Sequence, residues 1–473
     1  MLKTSSLWRS LAALTAAILV LVPFPSQAAP PQPIPPPPAG PPHPMTDITA
    51  SDAQYFRLTW RPDSLAGSIG NLKRFHSTTP LTTLTPQQLV TTIAAGGPLV
   101  RHATQQCPQA LVPPPPQVTE GAIFPPMRKP ADWYCLDHTD SGDPNVQPVG
   151  PDRHLPGWSL QGISGSEDTA TGVPRTVAGH KVFLLSWYHN NAAGHNDGSR
   201  LTFLLQDPKN TRGNYLHVGL VQLSGSTTNP SFRPLRTHAD GVVWYRDATT
   251  DRLYVADPDR GLLAFDMNKI LDLGMTVDPR APGFRYVLPE VGLWGTRGGP
   301  CNRTLTAGET GFVPRPHVPC YNYASLDTSV TSYQFVTGEY CRLRIHDQPS
   351  WCPSRLARWR ISDIQNWTPN TTIEAVQVFT QPATSVQGAA SYNFSGGPSV
   401  CYYFNSSRGR NNLGWLFTDR PDITAPPNYE HGGVGLQDLY VESEEHQLWT
   451  VTEWPGYGKR ILYGIAPPPP LCP

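Results

Sequence analysis

Hydrophobic and polar positions alternate in strand-length runs along the C-terminal two thirds of the chain. In the stretch HADGVVWYRDATTDRLYVADPDRGLLAFDM, which begins at His238, three short apolar runs are separated by turn residues. Apolar runs of this length, bounded by Gly, Pro and Asp, are typical of β-strands joined by tight turns. The stretch therefore predicts a meander of three antiparallel strands.

This pattern occurs five times, and each copy has a polar residue in or beside its first apolar run. The first runs lie in WSLQGISGS, HADGVVWY, YASLDTSV, VQGAASYN and VGLQDLYV. The second runs are KVFLLSWY, RLYVAD, SYQFVTGEY, SVCYYFNSS and QLWTVTE. The third runs are RLTFLLQD, GLLAFDM, RLARWRI, LGWLFT and RILYGI, and three copies have a fourth candidate, in YLHVGLVQL, FRYVLPEV and IEAVQVFT.

A repeated sheet of three or four strands cannot bury both of its faces alone, so neighbouring copies must pack against each other. Radial closure of such an array protects the sheet edges, and this arrangement is the β-propeller. We therefore predict an all-β protein in which residues 158–473 form a five-bladed β-propeller. The segment AQYFRLTW, which begins at Ala53, is the candidate for completing a sheet and closing the ring. A β-sandwich is the alternative fold.

The N-terminus predicts export from the cell. Lys3 and Arg9 flank the start of an apolar run, and the small residues at 26–28 offer a cleavage site. We expect a signal peptide over residues 1–28 and a secreted, extracellular protein.

A Pro-rich linker is predicted over 29–50, followed by a partly irregular extension over 51–157. The sequence Thr85-Pro86-Gln87-Gln88 has the pattern of a capping box with proline at the first helical position. It predicts a helix that ends at Gly96 and Gly97.

Composition changes this picture little. The 36 basic and 36 acidic residues cancel, which gives no general reason to expect nucleic acid or an anionic membrane as a partner. No segment of the expected mature chain is long and apolar enough to span a membrane. We expect a monomer.

Eight cysteines without a CxxC pair favour structural disulfides in an exported protein over a metal site. Connectivity does not follow from the sequence. Proximity along the chain suggests Cys107–Cys135, Cys301–Cys320, Cys341–Cys352 and Cys401–Cys472.

Candidate chemistry comes from the polar residues of the five first strands, which line the central channel of a propeller. They are Gln161, Asp240, Asp327, Gln387 and Gln437 with Asp438. They could bond each other and trapped water, or they could hold a cation. Carboxylate and amide oxygens are the ligands that Ca²⁺ prefers, so Asp240, Asp327 and Asp438 are candidate calcium ligands. The following glycines (Gly162, Gly241 and Gly388) would let backbones approach closely.

A second set lies at the ends of the second strands and includes Trp187, Asp257, Glu339, Glu453 and Trp454. Tryptophan rings could stack on sugars while carboxylates bind hydroxyl groups. Paired carboxylates could also hydrolyse a glycosidic bond, with Asp240, Asp327, Glu339 and Glu453 as the candidates. The alternative is that these carboxylates accept hydrogen bonds from turn backbone N–H groups. His238 precedes a first strand and is a candidate ligand-binding residue.

Taken together, LQGISGS, the stretch from His238, SLDTSVTSYQFVTGEY, RLARWRI and VQGAASYN resemble a family of secreted, largely uncharacterised actinobacterial proteins. That resemblance implies no particular activity. We expect a protein that binds an extracellular glycan or cell-wall polymer. A polysaccharide-cleaving hydrolase or lyase, and an adhesion module that binds other proteins, are the alternatives.

Overall fold

The described part of this computed structural model belongs to one compact unit, residues 36–473. It comprises residues 44–48, 53–97, 99–104, 132–136, 157–190, 196–206, 212–275, 278–296, 302–303, 313–314, 318–340, 354–394, 400–408, 413–453 and 461–467. The protein is all-β, as predicted. The expected signal peptide and most of the expected linker lie outside the described residues.

The N-terminal extension contributes strands and one capped helix to this unit. Its elements are β1 (Arg57–Pro62), a 3₁₀ helix (Ala66–Asn71), β2 (Thr82–Leu84), α1 (Pro86–Ala94), β3 (Arg101–Thr104) and β4 (Asp132–Cys135). The predicted capping box is confirmed, because Thr85 Oγ1 accepts from the Gln88 backbone N–H and Gln88 Oε1 accepts from the Thr85 backbone N–H. The helix ends as predicted, with Gly96 at φ 72°.

The first two sequence copies form two antiparallel meanders of four strands. Meander 1 contains β5 (Gly157–Gly165), β6 (Val182–Asn190), β7 (Asn196–Leu205) and β8 (Arg212–Gly225). A further strand, β9 (Pro230–Pro234), pairs with β8. Meander 2 contains β10 (Val242–Arg246), β11 (Asp251–Asp257), β12 (Gly261–Asp266) and, after β13 (Ile270–Asp272), β14 (Tyr286–Thr296). A separate pair consists of β15 (Asn302–Arg303) and β16 (Val313–Pro314).

The other three copies form meanders of the same kind. Meander 3 contains β17 (Tyr321–Asp327), β18 (Gln334–Glu339), β19 (Arg355–Arg360) and, after α2 (Ile361–Ile364) and β20 (Thr372–Glu374), β21 (Gln377–Thr380). Meander 4 contains β22 (Val386–Tyr392), β23 (Cys401–Ser406), β24 (Leu413–Asp419) and β25 (Asn428–Val434). Meander 5 contains β26 (Leu436–Glu442), β27 (Gln447–Thr452) and β28 (Ile461–Ile465), and its outer strand is β4.

The fourth strand of meander 5 comes from the N-terminal extension. The segment from Ala53 was expected to complete a sheet and close the ring, and its strand β1 pairs with β14 of meander 2 and with β20 rather than with meander 5. The strand that completes meander 5 is β4, in which Tyr134 faces Leu462. Strand β8 of meander 1 pairs with β14 of meander 2 and with β3, and β3 pairs with β4, so meanders 1, 2 and 5 lie in one 18-stranded sheet, whereas meanders 3 and 4 are separate four-stranded sheets.

The first strands of the five meanders contact each other in a nearly closed, barrel-like order. Strand β5 contacts β10, β10 contacts β17, β17 contacts β22, β22 contacts β26, and β26 contacts β5. Three of these contacts lie at the predicted glycines. A Cβ on Gly162 would lie 2.6 Å from Asp240 O, one on Gly241 2.1 Å from Ala324 N, and one on Gly388 2.6 Å from Asp438 Cα. The predicted close backbone approach is therefore confirmed.

The apolar core lies between neighbouring meanders. One buried cluster joins meanders 1 and 2 and includes Leu89 of α1, a second joins meanders 2 and 3, a third joins 5 and 1, and a fourth joins 4 and 5. Because each sheet buries its faces against its neighbours, removal of apolar area from water stabilises the whole set together. The polar ends of the first strands are held in place by this packing.

Disulfides are present in the described part of the chain. Cys135, Cys320 and Cys401 are each disulfide-bonded. Each of the four pairings suggested above includes at least one cysteine outside the described residues (Cys107, Cys301, Cys341, Cys352 or Cys472), so the pairings stay predictions.

Candidate functional site

The turn before β10 carries a histidine and an aspartate that contact each other. His238 Nδ1 and Asp240 Oδ1 are joined by a hydrogen bond. Ala239, between them, has φ 52°, a left-handed conformation that brings the two side chains to the same side of the turn. The side chain of His238 is 39% exposed and that of Asp240 is 3% exposed. The pair thus connects a buried carboxylate to a solvent-facing imidazole.

Three residues from two other meanders complete this group. The Tyr188 hydroxyl of β6 donates to Glu453 Oε1 at 3.3 Å, and the Tyr188 ring stacks on His238 with centroids 4.0 Å apart. Gln437 Nε2 of β26 donates to Glu453 Oε2 at 3.1 Å. We call Tyr188, His238, Asp240, Gln437 and Glu453 the His238 cluster; it draws on meanders 1, 2 and 5.

The ionisation of the His238 cluster is strongly perturbed. Burial raises the pKa of Glu453 to about 7, although the nearby His238 opposes this shift. Burial also raises the pKa of Asp240, again against the effect of His238. Burial would lower the pKa of His238, but the charge and hydrogen bond of Asp240 outweigh it and the net shift is upward. Buried acids with perturbed pKa values beside a partly exposed imidazole are enriched at functional sites.

One carboxylate oxygen of the cluster points to a missing partner. Asp240 Oδ2 is buried and accepts no hydrogen bond from the residues that the structure describes. A buried carboxylate oxygen without a donor is costly, so a donor is expected to occupy its vicinity. A hydroxyl group of a ligand or an ordered water would satisfy it.

The first-strand polar positions are only partly those predicted. Gln161 is buried, and its Nε2 donates to Leu160 O at 2.9 Å. Asn322 Nδ2 donates to Gln387 Oε1 at 3.1 Å, so the residue of meander 3 that matches Gln387 is Asn322. The prediction that Asp327 occupies this position is wrong. Asp327 lies at the other end of β17, where it faces Gln334 at the hairpin.

Asp438 connects three first strands. Its Oδ2 accepts from the backbone N–H of Ile163 at 3.2 Å and of Val242 at 3.3 Å, while Asp438 itself belongs to β26. Burial raises its pKa well above the ordinary range. The residue therefore joins meander 5 to meanders 1 and 2, which is a structural role.

Two further carboxylates from the predicted set form ion pairs with arginines. Asp327 Oδ2 accepts from Arg358 Nη2 at 3.0 Å and from Ser391 Oγ at 2.7 Å. Glu339 receives two hydrogen bonds from Arg355, at 2.6 and 2.8 Å, and both side chains are buried. These ion pairs leave Asp327 and Glu339 poorly suited to ligand chemistry.

Trp187 does not present a ring for stacking on a sugar. It is fully buried, its Nε1 donates to Thr202 Oγ1 at 2.8 Å, and Arg200 lies over its ring. Successive side chains of a strand point to opposite faces, so the neighbouring Tyr188 reaches the cluster instead. Trp454 lies outside the described residues.

The predicted trio of calcium ligands is not brought together, because Asp327 lies at the hairpin end of its strand, away from the turn that holds Asp240. Among the residues that the structure describes, no three or more His, Cys, Asp or Glu side chains are grouped so that they could hold a metal ion.

Asp257 accepts hydrogen bonds from the backbone N–H groups of Asp259 and Arg260, which is the turn-capping alternative given for the carboxylates at the strand ends.

Comparison with known proteins adds a weak structural likeness. No protein-family model matches the chain, and no curated protein matches it either. Among solved structures, hydrazine synthase of Kuenenia stuttgartiensis is similar at 9% identity with a TM-score of 0.26, over 65% of this chain and 77% of that one. Raptor of Chaetomium thermophilum is similar at 11% identity with a TM-score of 0.27, over 66% of this chain and 28% of that one.

None of the helices in the described ranges is long and apolar enough to cross a membrane.

Proposed function

We propose that the five meanders are the blades of a five-bladed β-propeller in a secreted protein. Support comes from five antiparallel meanders whose first strands contact each other in cyclic order. The apolar clusters between neighbouring meanders support it as well. In this arrangement the His238 cluster lies at one end of the central channel, where propellers offer a concave surface built from several blades.

We propose further that the His238 cluster binds an extracellular glycan or cell-wall polymer. The observation that carries this proposal is the buried Asp240 Oδ2, which lacks a donor among the described residues, beside the partly exposed His238. Sugar hydroxyls donate to carboxylates and accept from an imidazolium or an amide, so they match this set in both directions. A neutral, hydroxyl-rich ligand fits a cluster in which a protonated His238 offsets Asp240.

Glycan-array binding with the wild-type chain tests this function, followed by titration of the best ligand. Asp240→Asn and Glu453→Gln should each weaken binding about tenfold or more, because a lost hydrogen bond to a charged group contributes roughly 1.5–3 kcal/mol. The exposed Glu374→Gln serves as the control and should bind like wild type. Absence of glycan binding, or binding that Asp240→Asn leaves unchanged, overturns the proposal.

Cleavage of the bound polysaccharide is a second candidate function. It is favoured by Glu453, whose pKa of about 7 suits a general acid at neutral pH, together with Asp240 as the second carboxylate. Asp327 and Glu339, the other candidates from the sequence, fit this role less well, because they form buried ion pairs with Arg358 and Arg355. In this reaction Glu453 would protonate the glycosidic oxygen while Asp240 takes a proton from the attacking water.

A reducing-end assay on the same polymers distinguishes cleavage from binding. A hydrolase should lose about a thousandfold or more of its rate in Glu453→Gln while the polymer still binds measurably. Sugar release that survives both Glu453→Gln and Asp240→Asn overturns this candidate. Binding without release leaves the protein a glycan-binding module.

A further inference from the structure

An aromatic side chain lies at the tip of a tight turn between the 3₁₀ helix and β2. The Ser77 backbone N–H donates to Arg74 O at 3.0 Å and that of Arg74 to Thr79 O at 2.9 Å, so Phe75 and His76 are the central turn residues. His76 has φ 52°, and Phe75 is 42% exposed. Turn tips favour Gly, Asn and Asp, so folding alone gives no reason for Phe and His here.

A second exposed hydrophobic residue lies beside this turn. The Asp272 side chain accepts from the Gly274 backbone N–H at 2.8 Å, and Gly274 has φ 84°, which fixes a turn that presents Met275. Met275 is 67% exposed. The two loops adjoin, because Arg74 Nη1 lies 3.5 Å from the position of a Cβ on Gly274.

Basic side chains surround the two apolar ones. Arg280 lies over the Phe75 ring, 5.8 Å from its centroid, and donates to Lys73 O at 2.8 Å. Arg285 Nη1 approaches Met275 Sδ at 3.3 Å. Four bases (Lys73, Arg74, Arg280 and Arg285) face two acids (Asp272 and Asp278), an excess of two positive charges. The chain is neutral as a whole, so this excess is local.

The pairing of apolar tips with positive charge is unusual for this molecule. Among the described residues, the exposed large hydrophobic side chains are Phe75, Leu99 and Met275, and two of these three share one patch. Two such side chains on neighbouring turns, bordered by Lys and Arg, have the composition of an element that lies in the headgroup region of a membrane.

We propose that the Lys73–His76 turn and Met275 form a peripheral binding surface for a lipid bilayer with anionic headgroups. Phe75 and Met275 insert between the headgroups, and Lys73 and Arg74 contact the phosphates. Each basic residue near an anionic surface strengthens binding and makes it sensitive to salt. Insertion of the apolar side chains adds a contribution to the binding free energy that salt does not screen. This surface is independent of the glycan proposal, since its residues do not belong to the His238 cluster.

Sedimentation of the full chain with vesicles tests this inference. Wild type should bind vesicles that contain about one third phosphatidylglycerol, and should bind pure phosphatidylcholine far less. Phe75→Ala with Met275→Ala should lower the partition coefficient about tenfold. The double variant Lys73→Glu with Arg74→Glu should abolish the salt-sensitive part of vesicle binding. Leu99→Ala, which removes the exposed hydrophobic residue outside the patch, is the matched control and should bind like wild type.

Three results would overturn the inference. The first is wild type that does not bind the anionic vesicles. The second is binding that the Phe75 and Met275 variant leaves unchanged, which would assign it to another segment such as the apolar run near the N-terminus. The third is that soluble polyphosphate binds the protein through Lys73 and Arg74 but does not displace the protein from vesicles. Thermal unfolding of each variant checks that these surface changes leave the fold intact.

Discussion

The hydroxyl of Tyr188 and the carboxylate of Glu453 are hydrogen-bonded at 3.3 Å across the junction of meanders 1 and 5. Both side chains are almost fully buried, and a buried glutamate retains its proton more strongly than an exposed one. This contact therefore links the ionisation of the candidate site to the stability of the junction.

We expect the stability of the protein to fall as the pH rises from about 5 to 8. The folded-state pKa of Glu453 is about 7, above its ordinary 4.5, so the native chain binds more protons than the unfolded chain between these values. Stability is then lost as the pH rises through this window, by on the order of 2–3 kcal/mol. Urea unfolding at pH 5 and pH 8 measures the loss.

Glu453→Gln should make this pH dependence clearly shallower, because the amide does not titrate. Glu374→Gln, at an exposed position, should keep the wild-type slope. A wild-type slope in Glu453→Gln would show that this carboxyl does not titrate in the window. Burial also raises the pKa of Glu290 to about 7 and those of Glu442 and Asp251 to about 6, so these three carboxyls contribute a residual slope in the same direction.

Two arginines of strand β19 should differ greatly in their importance for folding. Arg358 forms a buried ion pair with Asp327, whereas the pair of Arg360 with Asp363 spans 3.8 Å at the surface. Arg358→Met leaves a buried carboxylate without its partner and should cost about 3–5 kcal/mol of unfolding free energy. Arg360→Met should cost less than about 0.5 kcal/mol. Equal losses in chemical denaturation would contradict this assignment.

The contact between the hairpins of meanders 1 and 5 should depend on pH through Lys181. Its Nζ lies 3.1 Å from Glu167 and 3.2 Å from Glu442. Burial would lower the pKa of Lys181, but Glu442 and Glu167 outweigh this and raise it, while burial raises the pKa of Glu442 to about 6. Lys181→Met should therefore cost about 2–4 kcal/mol at pH 8, where Glu442 is charged, and clearly less at pH 5, where it is protonated.

Denaturation at both pH values checks this, with the exposed Lys269→Met as the control. The same loss at pH 5 as at pH 8 would mean that the protonation of Glu442 does not relieve the missing lysine.

Gly241 should not tolerate a methyl group. A Cβ there would lie 2.1 Å from the backbone nitrogen of Ala324, and backbone cannot move aside cheaply. Gly241→Ala should lower stability by about 3 kcal/mol or prevent folding. Gly70→Ala has no atom within 4 Å of its new Cβ and should be neutral or slightly stabilising. Thermal unfolding distinguishes the two, and similar melting temperatures would contradict the close approach of β10 and β17.

The local sequence pattern was sufficient to predict most of the strands and the capped helix, because these elements depend on residues that are close together in the sequence. It failed for the site position of meander 3. In the other copies the polar residue precedes a glycine or an aspartate, but in meander 3 Asn322 precedes Tyr323, and the more conspicuous Asp327 five residues later was chosen. A register count from the end of β18, where Glu339 faces Tyr321, would have found Asn322.

The remaining misses come from long-range contacts. Trp187 and Tyr188 are adjacent, and only tertiary packing decides which of the two faces the cluster. The pairing of β4 with β28 joins residues more than 300 positions apart, and the four residues DWYC, although rich in strand-favouring aromatics, form too short a run to indicate a strand alone. Glu339 was correctly placed at a strand end, but nothing local indicates that Arg355 neutralises it.

Because β4 supplies the outer strand of meander 5, a segment that precedes all five meanders in the sequence is needed to finish the fifth. An emerging polypeptide must keep this short segment available until β28 has been made, so the sheet is completed only when both strands exist. Loss of β4 by proteolysis would expose the edge of β28 and offer it to another molecule's strand. We therefore expect a chain trimmed beyond Cys135 to self-associate, whereas the intact chain protects that edge with its own N-terminal segment.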